Sequence, residues 1–302
     1  MILRPCLLAA ASLLCAVPAA LAQQPGAAPP ETKAVAKDNI AGPYVPTPWV
    51  IVDEMLKLAD IRADDVVYDL GSGDGRLVIT ASKRFGSRGV GVELQPELVE
   101  LARNGARQDG VEGKVKFLQG DLFETGLGEA SVVTLYLLPR FVTRLIPKLR
   151  AELKPGSRIV SHDYPLSPWP PDKTLTFDVE EKEVISGSMR TTLFYYVVPA
   201  QIGGAWELSL PKAFAAAALA LEIRQEPDHL SGTANDGRAV LDLRDPSVRA
   251  ERIRFGLFHG GKLMTLAGRV AGDTMYGEVV SAGQRESWSA RRVPVKSPAP
   301  RP

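Results

Sequence analysis

Thiols are nearly missing from this chain. Of its 302 residues only two are cysteines, Cys6 and Cys15, and both lie in an N-terminal apolar segment. With that segment removed no sulfhydryl remains, which excludes disulfides, zinc–thiolate sites and cysteine nucleophiles. Histidine is scarce too: the chain has 3, His162, His229 and His259, too few for a histidine-rich metal site, and no metal is expected. Neither sign of charge is in excess. Lys and Arg number 36 against 35 Asp and Glu, a net charge of +1, so the basic bias of a nucleic-acid partner is absent and none is expected. What remains is an ordinary globular composition, 45% hydrophobic and 24% charged, long enough for one sizeable core and a smaller one.

The ends carry little that could pack. Arg4, the apolar run over residues 7–14, Pro18 and the small-x-small triplet Ala20-Leu21-Ala22 compose a secretory signal over residues 1–22. An exported protein, periplasmic or secreted, is therefore expected, with an uncleaved membrane anchor as the alternative. Residues 23–43 are rich in Gln, Pro, Ala, Gly and Lys without periodicity and read as a disordered linker; the Pro-rich residues 293–302 read as a disordered tail.

Residues 44–200 alternate strand and helix patterns. Thr47 is placed to cap a helix whose first turn holds Pro48 and whose apolar stripe is Val52, Met55, Leu56 and Ala59. A hydrophobic strand, Val66-Val-Tyr68, then ends in an acid, Asp69, and enters a turn with Gly71, Gly73 and Gly75 before Arg76 opens a helix. Such a turn brings backbone N–H groups close to a ligand, because glycine accepts φ > 0 and has no side chain in the way. The spacing differs from the dinucleotide fingerprint, and an acid before the turn suits a ligand bearing an ammonium group better than a pyrophosphate. This is the pattern of S-adenosylmethionine (SAM) binding. A second apolar strand ends at Glu93, the expected partner of two ribose hydroxyls. A third, over 115–119, leads to Gly120-Asp121-Leu122, a polar tip suited to an adenine amino group.

The alternation continues with a strand over 132–138, a helix over 140–153 kinked at Pro147, and a strand over 157–161. Two β-rich runs, 175–184 and 191–198, then resemble an antiparallel pair closing the sheet edge. Together these describe a Rossmann-like three-layer α/β sandwich. Residues 203–292 change character, with short alternating stretches separated by turn signals such as Asn235-Asp-Gly237 and Gly260-Gly261. That predicts a small antiparallel all-β module, sandwich or barrel, with residues 213–220 open to a helical alternative. The module has no cluster of acids, histidines or nucleophiles and reads as a binding or stabilising appendage.

The segments Pro43-Tyr-Val-Pro-Thr-Pro48, Asp69-Leu-Gly-Ser-Gly-Asp-Gly-Arg76, Gly91-Val-Glu93 and Gly120-Asp-Leu122 together resemble class I (seven-strand) SAM-dependent methyltransferases. Within that group the chain looks most like the small protein-lysine methyltransferases that act on the ATP synthase c subunit and the adenine nucleotide translocase. The resemblance covers about residues 43–170 and does not reach the C-terminal module. It implies SAM as cofactor, with Asp69, Gly71 and Gly73 at its methionine part, Glu93 at the ribose and Asp121 at the adenine. Ser72 and Leu122 join these as cofactor contacts, and Tyr44 and Thr47 fold over the site as a lid. One departure is informative. The tip of the fourth strand reads Thr134-Leu-Tyr-Leu-Leu-Pro139, not the Asn/Asp-Pro-Pro-aromatic of many enzymes that methylate nucleic-acid or glutamine amino groups.

The expected reaction is displacement at a sulfonium methyl, in which the protein orients a nucleophile and excludes water. A protein lysine, with an ordinary pKa of about 10.4, must first lose a proton, and an apolar pocket helps. Tyr136, His162 and Asp163, near the ends of the fourth and fifth strands, are the candidate catalytic groups. The structural alternatives are a core tyrosine, a histidine satisfying a loop and an aspartate capping a turn. The acceptor is then a protein lysine, a membrane-associated substrate included, or a small molecule. A non-catalytic SAM-binding module, with the β region for recognition, is the reading from a different class.

Overall fold

The computed structural model describes residues 44–294; the expected signal segment, the linker and all but the start of the expected tail lie outside the described residues. Helix α1 (Trp49–Leu58) buries Ile51, Val52, Met55 and Leu56 along one stripe. Thr47 does not cap it. Pro48 holds the cap position, and the Thr47 carbonyl instead accepts from Arg76 Nη1 at 2.7 Å. The fixed φ of Pro48 begins the helix by itself and leaves Thr47 one residue too early to reach the unpaired N–H groups.

The alternating region then runs β1 (Val66–Leu70), α2 (Arg76–Phe85), β2 (Arg88–Glu93), α3 (Pro96–Gln108), β3 (Val115–Gln119), β4 (Val132–Leu135), α4 (Pro139–Glu152), β5 (Arg158–His162), β6 (Lys173–Asp178), α5 (Glu180–Ser186) and β7 (Arg190–Val197). The strands form one 7-stranded sheet of order β3-β2-β1-β4-β5-β7-β6, in which β7 alone is reversed, antiparallel to both of its neighbours, β5 and β6. Every residue of β1 and β4 is buried, as a central parallel strand covered on both faces requires. Val67, Val132 and Val160 pack against α1 and α2 on one face. Tyr68, Val133 and Ile159 pack against α4 on the other, which makes the three layers of the expected sandwich.

Two segments depart from the expected pattern. The fourth strand stops at Leu135, so Tyr136 stands in the loop beyond its end. The run over 175–184 is a strand only to Asp178; Glu180, Glu181 and Glu183 fill the first turn of α5, where carboxylates favour the positive end of the helix dipole.

Beyond Pro199 the chain forms β8 (Gly204–Ser209), β9 (Leu219–Gln225), β10 (Leu230–Asn235), β11 (Val240–Asp242), β12 (Arg244–Arg249), β13 (Arg252–His259), β14 (Lys262–Ala271), β15 (Thr274–Ser281) and β16 (Gln284–Arg292). These make a single 9-stranded antiparallel sheet of order β11-β10-β9-β8-β16-β15-β14-β13-β12. Leu243 N–H donates to the Gly232 carbonyl at 2.9 Å and β10 lies beside β12, so the sheet curls until its edges meet, as a barrel does. Trp206, Leu221, Phe255, Leu266 and Trp288 fill its interior. Residues 213–220 form turns and the start of β9 rather than a helix.

Candidate cofactor and acceptor site

The carboxyl ends of β1, β2, β3 and β4 open on a cavity of about 430 Å³, within the range of small-molecule sites. Tyr44, Thr47, Asp69, Gly71, Ser72, Gly73, Glu93, Asp121 and Leu122 all line it, and Tyr136 lines it as well. The register explains why these residues meet. Asp69 pairs with Gly91 on β2 and with Thr134 on β4, so its side chain lies over the centre of the sheet. The turn after Leu70 folds back on β2, where Gly71 and Ser72 both donate to the Val92 carbonyl, at 2.9 and 3.0 Å.

Asp69 is an acid inside a strand, and only 4% exposed. It accepts a hydrogen bond from Thr134 Oγ1 at 2.7 Å. Burial pushes its carboxyl up from 3.8 to about 7, against the pull of that hydrogen bond, and Asp74 and Glu93 push the same way. A cationic group in the cavity would reverse this. Glu93 holds the next strand end: Oε2 accepts from Gly73 N–H at 2.9 Å, and Oε1 from Leu94 and Gln95 at 2.8 and 3.0 Å. Three backbone donors orient the carboxylate and leave Oε2 with room to accept from a hydroxyl. Asp121 is oriented likewise, by Phe123 N–H at 2.8 Å.

The glycines are needed for room as well as for conformation. At Gly73, with φ +53, an added Cβ would sit 2.5 Å from the Tyr44 ring; at Gly71, with φ +85, it would sit 2.8 Å from Leu137. Tyr44 therefore lies directly on the turn. It is held there by a clip that sequence reasoning passes over. Asp74 binds the Arg76 guanidinium at 2.6 to 3.0 Å, Arg76 reaches the Thr47 carbonyl, and its guanidinium lies 4.8 Å from the centre of the Trp49 ring. Burial works to raise the Asp74 carboxyl, but the hydrogen bonds and charge of Arg76 outweigh it and hold the group below its usual value. The signal for it is Asp74-Gly-Arg76, which closes the turn and opens α2.

The fit to SAM can be judged on the cavity itself. A buried carboxylate at the turn suits an ammonium, an oriented glutamate suits ribose hydroxyls, and Ser72 Oγ is buried beside them without a hydrogen-bond partner. Of the three candidate catalytic groups, only Tyr136 lines the cavity. Burial, then the charge of Asp163, pushes its phenol up to about 12, so it stays protonated. Its ring stacks on His162 at 3.9 Å between centroids. His162 is fully buried, with Nε2 at 2.8 Å from Thr191 Oγ1, and burial lowers its imidazole to about 4. Asp163, at φ 61, accepts from Lys182 at 2.7 Å and from Thr191 and Thr192, both at 3.1 Å. His162 and Asp163 therefore stand behind Tyr136, outside the cavity lining.

Comparison with known proteins agrees with this geometry. The ANTKMT methyltransferase domain model matches residues 69–173. The chain is 42% identical over 157 residues to a protein-lysine N-methyltransferase of Saccharolobus islandicus, covering 52% of this chain and 93% of that protein. It is 38% identical over 132 residues to the lysine N-methyltransferase of the ATP synthase c subunit from Rattus norvegicus, spanning 44% of this chain and 60% of that one. A crystal structure described as an RNA methyltransferase from Salinibacter ruber with S-adenosyl-L-homocysteine is 48% identical, at a TM-score of 0.47, covering 52% of this chain and 96% of that one. None of these matches exceeds about half of the chain. The chain belongs to the class I SAM-dependent methyltransferases, in the family of the ATP synthase c-subunit and adenine nucleotide translocase lysine methyltransferases.

Proposed function

We propose that this enzyme transfers the methyl group to the side-chain amine of a protein lysine. The observation that carries the reading is Tyr136: a protonated phenol at the strand tip, entering the same cavity as Asp69 and Tyr44. Its ring face suits an ammonium or methylammonium, and its hydroxyl oxygen can accept from an amine. The names of the relatives support the same acceptor.

In this reading Asp69 holds the ammonium of the cofactor, Glu93 the ribose diol and Asp121 the adenine edge, while bound SAM supplies an electrophilic methyl on a sulfonium. Tyr44 and the Thr47 segment, clipped by Arg76, cover the turn and exclude water. Leu137 and Tyr136 give the acceptor an apolar entry, which favours the neutral amine that the displacement needs. His162 acts as the floor beneath the Tyr136 ring and, with its imidazole lowered to about 4, is not the base.

The test is incubation with methyl-labelled SAM and a membrane-protein fraction, comparing the wild type with Tyr136→Ala. Labelled protein with the wild type, and at least tenfold less with the variant at unchanged SAM affinity, is the expected result. Label confined to small molecules, or a variant as active as the wild type, would remove the reading.

A further inference from the structure

The outer face of barrel strands β12–β15 carries charge that the barrel does not neutralise. Register places Arg249, Arg252 and Arg269 side by side in one row across three strands, with Tyr276 as the next neighbour. Arg254 stands two residues along β13 on the same face, opposite Ser247 and Ala267. Arg249 is tied to Asp172 at 2.8 Å. Arg252, Arg254 and Arg269 are exposed, and among the described residues none of the three has an ion-pair partner. The acids of this face are Glu278, engaged by Arg285 at 2.9 Å, and Asp245 in the irregular part of β12. Like charges directly opposite on neighbouring strands oppose sheet formation. No contact within the barrel offsets that cost.

Farther along the same face the chemistry turns apolar. Phe258 and Leu263 form a cross-strand pair, 47% and 53% exposed, and Val280 lies diagonal to Leu263 at 37%. Between the arginines and this corner stand Gly256, Thr265 and Ala267, flanked by Glu278 and by a further arginine, Arg244, whose guanidinium lies 5.8 Å from the centre of the Phe258 ring. We propose that this face docks on an anionic phospholipid bilayer. A nucleic acid or an acidic protein would satisfy the arginines and leave Phe258 and Leu263 in water. A bilayer satisfies both: guanidinium groups meet lipid phosphates, Tyr276 sits at headgroup level, and the apolar corner enters the acyl boundary.

The experiment is co-sedimentation of the full chain with vesicles of phosphatidylcholine alone or mixed with phosphatidylglycerol, at low and raised salt. The expected result is salt-sensitive binding to the anionic vesicles, and a loss of about tenfold or more in partition coefficient for Arg252→Glu/Arg269→Glu. Phe258→Ser/Leu263→Ser should lose binding as well. SAM affinity, read by calorimetry, should stay unchanged in both and report an intact fold; Arg252→Gln/Arg269→Gln serves if the glutamates disturb the barrel. Equal binding to neutral vesicles would overturn the proposal, as would binding indifferent to these variants, which would assign it to the apolar N-terminal segment. Retention of duplex RNA with no retention of vesicles would also overturn it.

Discussion

Replacing Asp69 by Asn separates what this carboxylate costs the fold from what it does for the cofactor. The side chain is 4% exposed and its pKa rises from 3.8 to about 7 on folding, chiefly by burial. The folded value lies above the unfolded one. Between the two, the folded protein therefore keeps a proton that the unfolded chain has lost, and stability falls as pH rises. At about 1.36 kcal/mol per unit, the shift amounts to about 4 kcal/mol, nearly all developed by pH 8 and little of it at pH 4. Asparagine keeps an oxygen for the Thr134 hydroxyl but carries no charge. Urea unfolding without cofactor should thus find Asp69→Asn more stable than the wild type at pH 8, by about 2–4 kcal/mol, and nearly equal to it at pH 4. The same variant should bind SAM at least tenfold more weakly at pH 8, because the ammonium loses its counter-charge. A variant less stable than the wild type by the same amount at both pH values would refute the reasoning, since it would mean that the ionised carboxylate is not strained in the fold.

Binding of SAM should release a proton below about pH 7, since an ammonium draws Asp69 back into its ionised form; calorimetry in buffers of different ionisation enthalpy measures that release, and none would be seen with Asp69→Asn. Arg76→Ala unclips the Tyr44–Thr47 segment and should raise the Kd for SAM by about tenfold, the loss of a charge-assisted hydrogen bond. The thermal unfolding temperature of the cofactor-free protein should fall as well, because Asp74 is left largely buried without its counter-charge. The pH dependence of kcat/KM should lack a step near 6.5 from His162, whose imidazole burial holds neutral down to about 4, and should instead show an acid limb near 7 that disappears in Asp69→Asn.

Much of this architecture is legible in the chain because short-range rules decide it. Buried parallel strands read as continuous apolar runs, and the acids and glycines at their ends stand out against them. That is why Asp69, Glu93 and Asp121 can be assigned to one site from spacing alone, and why they do line one cavity. What escapes is decided by partners distant in sequence. Thr134 is visible as the partner of Asp69 only once the register of β4 on β1 is known. Thr47 looks like a cap, but the clip through Arg76, 29 residues on, gives it another role. His162 and Asp163 sit where a ligand belongs by the strand-end rule, yet Lys182 and Thr191 turn both side chains away from the cavity. In the barrel, β12 escapes notice because its only pattern is a mixture of arginines and an irregular pairing with β13.

The central claim is the atom that receives the methyl group. Complete acid hydrolysis of protein labelled by this enzyme, followed by chromatography of the amino acids, identifies it directly. The account predicts label eluting as methylated lysine, and at least tenfold less of it with Asp69→Asn at limiting SAM. Label in methylarginine, or label lost as methanol during hydrolysis, as a carboxyl methyl ester would give it up, would contradict it.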